Sequence, residues 1–332
     1  MKRLNRQIGI SLVEVLVALV ISVFLLGGIV QVYTGNQATF KFTNALAEIQ
    51  ENGRFALDSM SQDLRLANEW GCVPFNPADT SNINDTLSAA TVPGYASGLH
   101  DFLDEEAIEG TNNTGLNGSD TVTVRGGKPG QANVESPFYP AGTARLTTSN
   151  GGRIGADDIV LVTRCGANDL LIPAEADIMR VTTATSISGD TQTDLTFAGS
   201  KSQQFENDAS VIELQTVTYS IANGASGEPA LFRTEFGTAL ELVEGVDDMQ
   251  LLYGIDNDGD EYPNQYVSSN NVVDFEDVVA VRIMLLVRSF NDFVAETPQT
   301  YSFNGVQTTA GDRRLRQVFT ATVALRNRIG GS

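Results

Sequence analysis

An apolar run near the N-terminus constrains the fold of this chain more than any other feature. Residues 15–30 are apolar except for one serine, and with residues 10–13 they make about 20 positions, the length that crosses a bilayer as a helix. Glu14 is the one charged residue within this stretch. We therefore predict that about residues 10–33 form a transmembrane helix.

Basic residues lie on one side of this run only. Lys2, Arg3 and Arg6 precede it, and the next basic residue is Lys41. Positive charges in short flanking segments stay on the cytoplasmic side of a membrane. The pattern predicts a single pass through the inner membrane, with a cytoplasmic N-terminus and a translocated body.

The run does not end like an ordinary secretory signal. The flank GGIVQVYTGNQATF contains no A-x-A cleavage site and no lipobox cysteine. An uncleaved signal anchor is one alternative, but it leaves Glu14 unexplained, because an acid costs roughly 2.5 to 3.5 kcal/mol at the middle of a membrane helix. Glu14 lies nearer the end and costs less, yet it still calls for a partner.

The basic start, Gly9 and the following ISLVEVLVALVIS resemble the class III signal of type IV prepilins and type II secretion pseudopilins. The resemblance implies that the prepilin peptidase cuts between Gly9 and Ile10 and methylates the new amine of Ile10. Glu14 then becomes the fifth mature residue, which in this family is thought to meet the amine of a neighbouring subunit. Ile10 departs from the Phe usual in major pilins.

The periodicity beyond the run predicts that the helix continues to about residue 70. Its apolar stripe comprises Phe42, Leu46, Ile49, Gly53, Leu57, Met60 and Leu64. The other faces carry Glu48, Glu51, Arg54, Asp58, Gln62 and Asp63. A coiled coil is the alternative, but the spacing lasts only about three heptads and has no consistent a/d choice. We expect this half of the helix to pack on a sheet.

The rest of the chain, residues 71–332, predicts an acidic, β-rich globular body with long loops. Residues 71–120 are dense in turn-forming residues and are interpreted as irregular. One long helix on a mostly antiparallel sheet is an α+β fold. Strand candidates are TVTVR from Thr121, DIVLVTRC from Asp158, IMRVTT from Ile178, VIELQTVTYSI from Val211, ALFRTEF from Ala230, MQLLYGI from Met249, DVVAVRIMLLVRS from Asp277 and RQVFTATVALRN from Arg316.

Three C-terminal runs sharpen the resemblance: LVEGVDDMQLLYGIDNDGDEY, VVAVRIMLLVRS and VFTATVALRNR. They resemble the PilW-type minor pilins, which are related to the GspJ-type pseudopilins. The resemblance covers the N-terminal 70 residues and about residues 240–328. It implies that residues 1–9 are the leader and residues 10–70 the long helix. The run VRIMLLV contains few polar residues, which suggests a strand buried on both faces.

This resemblance implies a function in pilus biogenesis. A PilW-type minor pilin would belong to an initiation or tip complex and serve twitching motility or related functions. Its partners would be other minor pilins, the major pilin and the inner-membrane assembly platform, and its body would pass from the periplasm to the pilus and cell surface. Two alternatives remain: a GspJ-type pseudopilin of a type II secretion system, and an unprocessed membrane-anchored surface-binding domain.

Charge and cysteine content limit the partners further. Against 41 acidic residues the chain has 21 basic ones, and its net charge of −20 would repel a phosphate backbone. Nucleic acid is therefore excluded as a primary partner. Cys72 and Cys165 form an even count in a chain predicted to be exported, which predicts a disulfide; two buried thiols are the alternative.

Residues for catalysis are scarce. His100 is the only histidine, it lies in a loop-like context, and no G-x-S-x-G, P-loop or H-E-x-x-H motif is present. We expect no enzymatic activity and no organic cofactor.

The acidic run IDNDGDEYPN offers two interpretations. Asp256, Asp258 and Asp260 could supply oxygen ligands to calcium, although glycine does not stand at the sixth position that an EF-hand-like loop requires. The alternative is a tight Asp-Gly turn with solvated acids. Further on, Arg314 and Arg316 suit ion pairs within the domain or with another pilin, or weak surface pairs.

Overall fold

The protein consists mainly of one long helix and mostly antiparallel strands. The computed structural model describes residues 11–71, 83–103, 106–149, 154–164, 175–187 and 191–327. The α-helices in these ranges are α1 (Leu12–Arg65) and α2 (Ser97–His100). Strands in the first half are β1 (Ile83–Asp85), β2 (Ile108–Thr111), β3 (Thr121–Asn133), β4 (Arg145–Ser149), β5 (Ile159–Arg164), β6 (Glu175–Ile187), β7 (Gln192–Phe197) and β8 (Ala209–Asn223). The remaining strands are β9 (Pro229–Glu235), β10 (Thr238–Glu244), β11 (Val246–Ile255), β12 (Gln265–Val267), β13 (Val278–Arg288), β14 (Thr300–Phe303), β15 (Val306–Thr309) and β16 (Arg316–Ala324). The predicted α+β class is confirmed.

Helix α1 is continuous over 54 residues, about 80 Å at 1.5 Å per residue. Its second half packs on strands β10, β13 and β16 of its own domain. The buried positions are Ala45, Ile49, Gly53, Ala56, Met60, Ser61, Asp63 and Leu64. Placing Asp63 on an outer face was wrong, because it lies beside Leu64 on the buried stripe. Phe42, at the start of the predicted stripe, is exposed.

A four-stranded antiparallel sheet, β12-β11-β13-β16, carries α1 on one face. In β13 the face towards α1 is fully buried and includes Ile283 and Leu285. The opposite face is only half-buried at Arg282 and Met284. The prediction of a strand buried on both faces therefore holds for one face and only partly for the other.

Six strands of the larger, ten-stranded sheet form a ring. They follow the order β3-β8-β5-β6-β7-β4, and a bridge between Val134 and Thr148 returns β4 to the end of β3. The interior is filled by apolar side chains such as Leu146, Met179 and Phe205. This ring, which we call the barrel, is closed and packed rather than open.

Residues 83–103 pack against the outside of the barrel. Leu87, Val92 and Phe102 are buried in one cluster with Trp70. Strand β1 pairs in parallel with β6, and β2 pairs with β3. Most of these residues are irregular, as expected, but the expectation that they do not form a packed unit was wrong, because turn-rich spacing concealed widely separated apolar anchors.

The barrel lies beyond the C-terminal end of α1. The Asn68 amide donates to the Arg125 carbonyl at 3.1 Å, and the Gly127 amide donates to the Glu69 carbonyl at 2.9 Å. Strand β8 runs alongside α1 at Tyr219, which contacts Asp63, and continues for ten more residues into the barrel. At about 3.3 Å per residue, that continuation carries the barrel past the helix end.

Gly53 lets α1 approach β16 closely. A Cβ at this position would lie 2.5 Å from the ring of Phe319. We predict that Gly53→Val lowers the free energy of unfolding by about 1 to 3 kcal/mol through overpacking, as measured by denaturant unfolding in detergent. Gly35→Val is the matched control, because nothing lies within 4 Å of Gly35. Equal effects of the two substitutions would contradict this packing.

Candidate functional site

The N-terminal half of α1 projects free of the domain. Every residue from Ser11 to Asn44 is exposed, and the run contains one stretch long and apolar enough to cross a membrane. Its hydroxyls bond within the helix: Ser22 donates to the Ala18 carbonyl at 2.7 Å and Thr39 to the Gly35 carbonyl at 3.0 Å. This half of the helix therefore presents an apolar surface that needs lipid or other helices around it.

Glu14 lies in the first turn of α1. Its Oε2 accepts a hydrogen bond from the Ser11 amide at 3.3 Å, which completes a capping box with Ser11 as the N-cap. The carboxylate also lies where the helix dipole favours negative charge. Gly9 and Ile10 lie outside the described residues, so the predicted cleavage and methylation stay predictions.

A buried polar cluster fixes the other half of α1 to the domain. Asp63 accepts hydrogen bonds from the Tyr219 hydroxyl at 2.7 Å and from Arg233 Nε at 2.8 Å. The Tyr219 oxygen is also 3.0 Å from the Ser59 hydroxyl. Asp63 is only 8 % exposed, so burying its charge would destabilise the fold without these hydrogen-bond partners. Sequence reasoning missed the cluster, since nothing local pairs a helix residue with strands some 160 residues away.

Arg314 and Arg316 pair within the domain. Arg314 Nη2 is 2.9 Å from Glu228, and Arg316 Nε is 2.9 Å from Asp247. Burial raises the pKa of Asp247, whereas hydrogen bonds from Arg316 lower the pKa of Asp312. Arg316 is buried, so these contacts are more than weak surface pairs. They join β16 to the starts of β9 and β11.

The acidic loop after β11 brings together the three carboxylates named as candidate calcium ligands. Oxygens of Asp256, Asp258 and Asp260 all lie within 4.8 Å of one another. Asp256 also accepts backbone hydrogen bonds from Asp258, Gly259 and Glu261 at 2.8 to 3.1 Å. Desolvation raises the pKa of Asp256, but these bonds outweigh it and lower the pKa. The three donors stabilise the turn.

His100 is a packing residue. Its ring is 6 % exposed and stacks between Tyr95 and Phe236, with centroid distances of 5.5 and 5.4 Å. Nδ1 lies 3.1 Å from the backbone of Ala96. It ends the short helix α2, which the sequence context had suggested was a loop.

Cys72 and Cys165 lie outside the described residues, and their disulfide stays a prediction. Described residues just before them are close together: a Cβ on Gly71 would lie 2.8 Å from Cγ2 of Thr163. Gly71 directly precedes Cys72, and Thr163 is two residues before Cys165. The fold thus brings the segments leading to both cysteines side by side.

The strands that pack on α1 carry a recognisable family pattern. Residues 218–327 match the family model described as Type IV Pilus-assembly protein W. The match supports a type IV pilus-related protein with a part in pilus assembly. It covers about a third of the chain, from the second half of β8 to just after β16, and leaves α1 and most of the barrel outside. No curated protein and no solved structure shows a significant match.

The hydrogen bonds to Asp256 predict how the acidic loop is stabilised. We expect Asp256→Ala to lower the melting temperature, with or without calcium, because three backbone donors lose their acceptor. Asp258→Ala is the control and should have less effect, since Asp258 is exposed. A rise in melting temperature on adding calcium, lost in Asp258→Ala, would instead favour the cation-binding interpretation.

Proposed function

We propose that this chain is a PilW-type minor pilin that takes part in type IV pilus biogenesis by assembly and not by catalysis. One observation carries the proposal: an exposed apolar half-helix with a single acid extends from strands that match a pilus-assembly family. An apolar rod of this length is suited first to a bilayer and then to the packed helices of a filament core.

In the proposed mechanism, prepilin peptidase removes residues 1–9 and methylates Ile10. Glu14 then pairs with the amine of a neighbouring subunit. An ion pair in a low-dielectric surrounding is favourable only when both charges are present and close, so this contact would set the register between subunits. The capping box with Ser11 holds Glu14 at the helix end until then.

The position of the barrel supports a place at the pilus tip or in a priming complex. It extends the molecule beyond the end of α1 in the direction of the helix axis. A subunit stacked further out along that axis would meet the barrel before its own helix reached full overlap. Incorporation at the outermost position avoids this obstruction, whereas repeated incorporation along a shaft does not.

The proposed location and partners follow from this mechanism. Before assembly the chain would lie in the inner membrane with its body in the periplasm, beside the assembly platform. After assembly it would lie in the pilus, in contact with other minor pilins and the major pilin. We propose no nucleic acid as a primary partner, since the net charge of −20 opposes one.

The first test is processing at Gly9. We expect mass spectrometry of the chain produced with the peptidase to show loss of residues 1–9 and one added methyl on Ile10. Production without the peptidase, or with Gly9→Val, should leave the leader intact. An intact leader in the presence of the peptidase would overturn the assembly mechanism and favour the unprocessed surface-binding domain.

The second test concerns Glu14. We expect Glu14→Gln to lower the amount of this protein in sheared pili while its amount in the membrane stays unchanged, because the subunit amine loses its charged partner. Glu51→Gln is the matched control, an exposed acid on the same helix. Unchanged incorporation of Glu14→Gln would contradict the register contact.

A GspJ-type pseudopilin remains the alternative within the same mechanism. Deletion of the gene separates the two functions. Loss of surface pili and twitching with intact protein secretion would support the minor pilin, and the reverse would support the type II secretion system.

A further inference from the structure

The end of the domain that lies nearest the exposed half-helix can be identified from contacts along α1. Leu315 lines a cleft with Phe42, and Gly53 lies beneath Phe319. Further along, the Asn327 side chain donates to the Ala67 carbonyl at 3.1 Å. Strand β16 therefore runs parallel to α1, and its first residues lie where the exposed half of the helix leaves the domain.

The segment of residues 289–299 leaves the domain at this same end. Arg288, the last residue of β13, pairs with Arg316, the first residue of β16. The cleft between this segment and the helix has a volume of about 590 Å³, and its walls include Ala38, Phe42 and Val294. Ala38 lies five residues after Tyr33, where the apolar run ends. At 1.5 Å per residue this is about 7 Å further along the axis.

Two aromatic side chains of this segment are exposed to solvent. Phe293 is 69 % exposed and Phe290 is 47 % exposed. Phe293 has a φ of 60°, a conformation that bulky residues rarely adopt. Its position is held by Asp292, which accepts the amides of Phe293 at 2.6 Å and Arg313 at 2.9 Å. These hydrogen bonds hold the backbone in a conformation that leaves an apolar ring outside the core.

The charges around this ring suit a lipid surface. The Arg313 guanidinium lies 4.3 Å above the centre of the Phe293 ring. Lys41 is exposed on the helix, one residue from the cleft. Asp292 and Glu296 add negative charge, but Asp292 is occupied by two backbone donors. An aromatic ring beside a cation is a combination that favours the headgroup region of a membrane.

We propose that residues 289–299 rest on the membrane that α1 spans, with Phe290 and Phe293 inserted among the lipid headgroups. The headgroup layer adds about 5 to 7 Å on each side of the hydrocarbon core, close to the height of the cleft above Tyr33. The contact would fix how far the domain stands above the bilayer before assembly. The proposal rests on α1 being a membrane helix and concerns the lipid contact of the domain, not the filament.

Tryptophan quenching in vesicles tests the contact. The full chain is reconstituted in phosphatidylcholine and phosphatidylglycerol that carry bromine high on the acyl chain, and each variant is read against the parent protein, whose Trp70 is buried. We expect Phe293→Trp to show a blue shift and a loss of emission. Phe55→Trp is the matched control: Phe55 is 52 % exposed on the same helix, about 20 Å beyond Phe42, and its emission should be unchanged.

A third variant separates this proposal from the membrane insertion on which it depends. Leu25→Trp should be quenched by lipids brominated deep in the acyl chain. Quenching at Leu25 without quenching at Phe293 would overturn the lipid contact and leave a neighbouring subunit as the occupant of this surface. Absence of quenching at both positions would overturn the membrane helix and, with it, both proposals.

Discussion

The packing of the second half of α1 between two sheets is the contact on which the rest of the structure depends. Gly53 brings the helix against Phe319, and Asp63 joins it to Tyr219 and Arg233. A shift of the helix would disrupt both contacts. At Gly53 it would cause a steric clash with Phe319, and at Asp63 it would leave a buried charge without its partners. These two contacts therefore fix the second half of the helix on the body.

This arrangement divides the chain into strands that lie within the family match and a barrel that lies mostly outside it. The strands with the main contacts to α1, which are β10, β13 and β16, all lie within the family match. The closed barrel lies mostly outside the match and beyond the helix end. The barrel and the apolar half of α1 therefore lie at opposite ends of the molecule.

Local pattern predicted the long helix, the α+β class and eight strands, because these elements carry strong periodicity or continuous apolar content. The short strands β4 and β7 were not predicted, since sequences such as RLTTS and QTDLTF have little apolar alternation. The barrel was missed for a different reason. Its closure between Val134 and Thr148 joins segments whose individual sequences do not encode the pairing. Asp63 was misplaced because a charge normally indicates a solvent face.

Strand β8 belongs to two cores at once. Residues near Ala209 and Val211 fill the barrel, while Val217 and Tyr219 pack with the helix. The barrel therefore cannot be removed as a module, because any cut that deletes it also shortens the strand that supports α1. Loss of order in either core would expose apolar surface in the other, so we expect the two to unfold together despite their different architecture.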